Sequence, residues 1–215
     1  MRCTGPSKGY LTTEDKLSPE AYYKPDLLGG SISYDVNLSN MQCGCVASFI
    51  QVEMPARNSS GFVAGDDKDY YCDANGVGGS FCPEFDIMLA NRRVFQTAGH
   101  TCDAPNAGGD YHFCDRPGKP VQDFDSRSDN YGPVSDWQID TNQPFNVMIE
   151  YSRGGDDNLE NFKVTLTQGT KKAYRDGYRD TTALSRSLDG NMAFVFMLWG
   201  EGDMNMWLDG RACGF

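Results

Sequence analysis

The sequence predicts an all-β protein, an antiparallel two-sheet sandwich with long disulfide-pinned loops, on three observations. Short apolar or alternating runs recur between clusters of Gly, Asp, Asn and Ser, the pattern of strands joined by polar turns. No amphipathic run is long enough for a substantial helix, and Ala183–Leu188 is the best short candidate. Eight cysteines, at 3, 43, 45, 72, 82, 102, 114 and 213, show no Cys-x-x-Cys spacing and are accompanied by only two histidines, His100 and His112. Such an even set favours four disulfides over a zinc site, and with them an oxidising, secretory compartment.

Length and charge narrow the function classes. A chain of 215 residues, 39% hydrophobic and 12% aromatic, can bury the core of one domain spanning 1–215. A net charge of −11, with Lys and Arg scattered apart from pairs such as Arg92-Arg93 and Lys171-Lys172, argues against nucleic acid as a partner. No apolar run is long enough to insert across a bilayer. Two sequons, Asn37-Leu38-Ser39 and Asn58-Ser59-Ser60, are candidate N-glycan acceptors and suit the same compartment. The opening Met-Arg-Cys-Thr-Gly-Pro has no apolar h-region, so no leader peptide is expected within these residues.

Taken in order, residues 1–30 are polar and punctuated by Pro19, Pro25 and Gly29-Gly30, an irregular cover with one short edge strand. Ser31–Leu38 alternates like a half-buried strand, and Val46–Met54 reads as a more buried one. The turn between them suggests an antiparallel pair. Residues 56–80, rich in Gly, Asp and Asn, form a loop, and 103–142, again turn-formers without a period, form a second long one. Strand signals return at Phe145–Tyr151, Phe162–Thr167, Met192–Trp199 and Met204–Leu208. In the third of these, Ala193, Val195, Met197 and Trp199 share one face, and Phe194, Phe196 and Leu198 form a second face that looks like core.

The stretch Cys82-Pro-Glu-Phe-Asp-Ile-Met-Leu-Ala-Asn91 carries the chemistry. As a strand it places Glu84 and Asp86 on one face and Phe85 and Ile87 toward a core. Two carboxylates on one face are costly unless solvated, hydrogen-bonded or used, because like charges raise one pKa. The segment resembles the catalytic strand of glycoside hydrolase family 7, Glu-x-Asp-x-x-Glu followed by Ala-Asn. Position by position the resemblance implies Glu84 as nucleophile and Asp86 as its support, while Leu89 stands where the family has its general acid/base. A retaining glycosidase needs both carboxyl groups, ~5–5.5 Å apart, and leucine carries no proton. For Leu89 to face the same cleft as Glu84, a bulge between Asp86 and Leu89 is required.

Further motifs run in the family's order. Asp35-Val36, Ser39-Asn40 and Cys43-Gly44 are similar to its first strand and turn, Tyr71-Cys72-Asp73 to its Tyr-Cys-Asp, and Gly99-His100-Thr101-Cys102 to its Pro-His-x-Cys. Leu198-Trp199 and Met206-Trp207-Leu208-Asp209 are similar to its Leu-Trp and Met-x-Trp-Leu-Asp. The resemblance covers the later part of the family's catalytic domain and implies a jelly-roll sandwich with an open glucan cleft rather than a tunnel. It implies His100 beside the two carboxylates, Tyr71 and Asp73 in the same polar group, and Trp199 and Trp207 as platforms for pyranose faces. Trp137 matches no motif and reads as structural. Family spacing proposes disulfides Cys72–Cys82, Cys102–Cys114 and Cys43–Cys213, leaving Cys3–Cys45. The resulting expectation is a secreted, cofactor-free β-glucan binder with impaired retaining hydrolysis. One alternative is an active enzyme: a hydrolase with Glu201 or Asp203 as the acid, or a lyase acting on a uronic-acid polymer with His100 or a tyrosine as base. The other is an extracellular structural protein that keeps only the fold.

Overall fold

The computed structural model describes residues 7–63, 69–125, 130–176, 182–200, 208 and 213, the side chains of 119–122 and 182 excepted. In chain order the elements are β1 (Ser7–Tyr10), β2 (Ser31–Val36), β3 (Val46–Val52), β4 (Glu84–Ala90), β5 (Val94–His100) and β6 (Lys119–Asp125). There follow β7 (Tyr131–Gly132), β8 (Ile139–Asp140), β9 (Phe145–Arg153), β10 (Leu159–Gln168), β11 (Lys171–Asp176), helix α1 (Thr182–Leu188) and β12 (Ala193–Trp199). Two antiparallel sheets dominate, a six-stranded one in the order β1-β12-β3-β4-β5-β6 and a four-stranded one in the order β11-β10-β9-β2. A small parallel β7-β8 pair stands apart.

The burial of each strand follows from what covers its two faces. In β9, Phe145, Val147, Ile149 and Tyr151 alternate with more exposed residues, as in a sheet packed on one side only. Every residue of β3 and β4 is buried, because the large sheet is covered on both faces. One face meets the small sheet in a core of Phe49, Phe85, Ile87, Met88, Phe95 and Phe124 against Val147, Ile149, Tyr151, Phe162, Val164 and Leu166. Phe85 lies edge-on to Phe162 at 4.8 Å between ring centroids and to Tyr151 at 5.3 Å, pairs worth ~0.5–1.5 kcal/mol each beyond area burial. The other face carries a second apolar cluster that includes Ile50, Val52, Leu89, Ala193 and Val195 under Tyr22, Met54, Tyr71 and Tyr111.

Several expectations are corrected. β2 and β3 do not pair: β2 is bonded to β9, and β3 lies in the other sheet between β12 and β4. Their alternation and full burial belong to different layers, so the turn between them is a crossover. The stretch 103–142 is not all loop, since it contains β6, β7 and β8; β6 holds Pro120 and is an edge strand, where proline is tolerated. β5 and β11 also go beyond the expected set. Phe194 is core, but Phe196 and Leu198 are each 44% exposed, because β12 extends toward the β1 edge of the large sheet. The helix, the short N-terminal edge strand and the disulfides Cys43–Cys213, Cys72–Cys82 and Cys102–Cys114 are all present. Cys45 is disulfide-bonded too, while Cys3 lies outside the described residues, as does the expected strand over 204–208 apart from the buried Leu208. No helix among the described residues is long and apolar enough to cross a membrane.

Candidate functional site

The β4–β5 hairpin builds the site. Asn91 makes the turn, its Oδ1 accepting the Arg93 and Val94 amides at 2.8 and 3.2 Å. On the β3 side of β4, Phe49 pairs with Met88 and Ile50 with Asp86; on the β5 side, Ala98 pairs with Asp86 and Gln96 with Leu89. One extra residue therefore sits in β4 between Asp86 and Leu89, a β-bulge. It lets Ile87 and Met88 both enter the core between the sheets, while Leu89 returns to the face of Glu84 and Asp86 and joins the second apolar cluster. Cross-strand register puts Glu84 directly opposite His100 and places Trp199 beside Val46, at the far end of this same face.

Glu84, Asp86 and His100 offer ligand atoms that all lie within 4.8 Å of one another. His100 Nε2 is 2.9 Å from Asp86 Oδ2, and its Nδ1 is 2.9 Å from the Asp115 carbonyl oxygen. A carbonyl only accepts, so Nδ1 carries a proton. Glu84 Oε2 accepts the Ala74 amide at 2.9 Å. Asp86 Oδ1 is buried without a hydrogen-bond partner among the described residues. The three residues are 6%, 2% and 6% exposed. Burial, then the charge of Asp86, raises the Glu84 pKa well above the usual carboxylate range. Burial alone would lower the His100 pKa, but the charge and hydrogen bond of Asp86 outweigh it and the net shift is upward. Together these favour a neutral Glu84 and a charged His100, the latter 2.9 Å from Asp86.

Loops close the group. Cys72–Cys82 staples the loop before β4, and Asp73 Oδ1 accepts the Asn75 and Val77 amides at 3.0 and 2.9 Å. Burial raises the Asp73 pKa despite these bonds and one from the Tyr71 hydroxyl. Tyr71 is buried, with Lys8 Nζ 4.5 Å above its ring, and Lys8 also pairs with Asp69 at 2.7 Å. A Cβ on Gly118 would fall 2.6 Å from the His100 ring, so only glycine lets this backbone lie against the imidazole. On the other side of β5, a Cβ on Gly99 would meet Leu184 at 2.7 Å, so this glycine admits helix α1.

Of the residues singled out in the sequence, Glu84, Asp86, His100, Tyr71 and Asp73 come together. Trp199 is half-buried on the same face, its Nε1 donating to Ser48 Oγ at 3.0 Å. Trp207, Glu201 and Asp203 lie outside the described residues. His112 is exposed and 3.9 Å from Asp110. Sequence reasoning missed the Ala74 amide, the Asp115 carbonyl and Gly118, backbone groups that leave no side-chain signature.

The same architecture recurs in solved structures. An endoglucanase I complexed with cellobiose superposes with a TM-score of 0.71 at 21% identity, covering 88% of this chain and 61% of that one. A family 7 cellobiohydrolase from Daphnia pulex gives 0.66 at 20% identity, over 86% and 60%. The chain has the glycoside hydrolase family 7 fold. Among curated relatives, "Endoglucanase type C" of Fusarium oxysporum is 26% identical over 272 residues, 95% of this chain and 60% of its own length. "Endoglucanase EG-1" of Trichoderma longibrachiatum is 25% identical over 246 residues, 96% and 51% respectively. The chain thus spans about half to three-fifths of the length of these relatives. No protein-family model matches it. Within this family 7 fold, β4 is the bulged strand that bears Glu84, Asp86 and Leu89.

Proposed function

We propose that the protein recognises a β-linked glucan on the Glu84 face of its large sheet and hydrolyses it poorly or not at all. The position of Leu89 carries the reading. The bulge brings it onto the carboxylate face, where a retaining glycosidase needs its proton donor. On this reading Glu84 is the former nucleophile, Asp86 and His100 its partners, Tyr71 and Asp73 the surrounding polar wall, and Trp199 with Trp207 the sugar platforms. Burial adds weight, because Glu84 and Asp86 are only 6% and 2% exposed and Glu84 is held toward its neutral form. A neutral carboxyl does not attack an anomeric carbon. The curated relatives are endoglucanases and one structural neighbour is complexed with cellobiose, which supports a cello-oligosaccharide as ligand. The disulfides and the exposed Asn37 and Asn58 sequons support a secreted, N-glycosylated domain spanning 1–215.

Calorimetric titration with cello-oligosaccharides, paired with reducing-sugar release, tests the reading. Binding without release is expected from the wild type, with any residual activity appearing first on activated aryl glycosides, whose leaving group needs no proton. Leu89→Glu should raise hydrolysis of the natural glucan. Brisk natural-glucan hydrolysis by the wild type would overturn the proposal, and absence of binding would leave the fold alone retained.

A further inference from the structure

Two carboxylates and an imidazole converge where the sheet, not a loop, holds them. Glu84 and Asp86 are two apart on one face of β4, and His100 is the direct cross-strand partner of Glu84 in β5. Their ligand atoms lie within 4.8 Å of one another and all three residues are buried. Two further observations point to a bound cation. Asp86 is 2% exposed, and its Oδ1 has no hydrogen-bond partner among the described residues; a buried carboxylate oxygen without a partner is an expensive feature. The Nδ1 of His100 donates to the Asp115 carbonyl, so Nε2 is the ring nitrogen that faces the carboxylates, 2.9 Å from Asp86 Oδ2, and an ion bound there would displace the Nε2 proton. A backbone carbonyl behind an imidazole is the outer partner that fixes the tautomer of a metal-binding histidine.

We propose that Glu84, Asp86 and His100 form a binding site for one divalent transition-metal ion of the Zn²⁺ type. One imidazole and two carboxylates suit Zn²⁺, which accepts N and O ligands and tolerates an open fourth position. The larger, all-oxygen shell that Ca²⁺ requires is not offered here. Preorganisation favours binding, since two of the ligand-bearing residues are fixed by the register of β4 against β5 and the third by the pleat of β4. Glu84 and His100 each keep 6% of their surface exposed, so the group is not sealed. The ion would take up the same side-chain atoms that the glucan reading assigns to the reaction centre. Zn²⁺ and that chemistry would then exclude each other, but metal binding itself does not depend on the sugar reading.

The test uses the full chain and Zn²⁺ alone. With only two histidines in the sequence, an imidazole ¹⁵N spectrum resolves each ring. Zn²⁺ should shift Nε2 of His100 and leave the His100 Nδ1–H and the exposed His112 in place. Calorimetry should give one ion per chain, weakened at least tenfold in Asp86→Asn and in His100→Asn. No change in the His100 ring at millimolar Zn²⁺ would overturn the proposal. So would a shift confined to His112, or equal affinity in wild type and folded Asp86→Asn. Should either variant fail to fold, the wild-type spectrum still decides.

Discussion

Replacing Gly118 by alanine should dislodge His100, and the cost can be separated from ordinary backbone strain. A Cβ at 118 falls 2.6 Å from the imidazole Cε1, 2.9 Å from Nδ1 and 3.0 Å from Nε2, on a backbone with φ +68°. Gly78 has φ +84° with nothing within 4 Å, so Gly78→Ala carries the left-handed backbone penalty alone, ~1–2 kcal/mol. Gly118→Ala adds the displacement of a ring held by Asp115 and Asp86 at 2.9 Å each. Hydrogen bonds to charged groups are worth ~1.5–3 kcal/mol net. The second variant should therefore be less stable than the first by about 2–3 kcal/mol, or roughly 4–12 °C in Tm for a chain of this size. Non-reducing urea unfolding and calorimetry measure both, and the imidazole ¹⁵N shifts report whether the ring moved. Equal losses in the two variants would mean that His100 is not pressed against this backbone, and the closed cluster would lose its main support.

Glu53→Ala should cost ~1–3 kcal/mol in urea unfolding, because Glu53 accepts from Tyr111 and from Ser187 at 2.8 Å each and stands 3.7 Å from Arg186. These contacts tie α1 to the loops over the site. Stability should also fall in alkali. Burial raises the pKa of Tyr34, Tyr131 and Tyr151, so their neutral hydroxyls contribute fully below the ordinary tyrosine value of about 10 and the contribution is lost as pH climbs above it. A Tm that stays level from about pH 9 to about pH 11 would refute this.

The two-sheet class was legible because strands such as β2 and β9 alternate with period two, and helix α1 because nothing competed with it locally. Partners were not legible. β2 pairs with β9 through a contact far along the chain, and alternation says which face is apolar without saying which strand lies beside it. Phe196 and Leu198 show the same limit: their shared face is correct, yet the small sheet ends before it reaches them. β6 hid behind Pro120, a strand breaker that an edge strand accepts. In the site, Glu84, Asp86 and His100 were found from motif order and the bulge from the need to turn Leu89. The burial of the site was invisible, because Tyr22, Met54, Tyr71 and Tyr111 reach it from separate loops.

On the proposed reading, Leu89 would explain two features of the cluster at once. A carboxyl at this position would require water or donors, keeping the face polar. Leucine instead completes an apolar cluster with Ile50, Val195 and Tyr71, and the low dielectric that results helps hold the proton on Glu84. The chain would then lack the proton donor and also keep its nucleophile neutral. Restoring the donor with Leu89→Glu addresses only the first defect, worth ~10²–10⁴-fold in rate for a well-placed acid. Tyr71→Ala, which removes a buried ring next to Asp73 and Glu84, should hydrate Glu84 and address the second. Natural-glucan hydrolysis should accordingly rise more in the double variant than the product of the two single gains, since each defect masks repair of the other. Rates that simply multiply would mean that Glu84 is already ionised and solvated in the wild type, and that its burial under Tyr71 has no part in silencing the site.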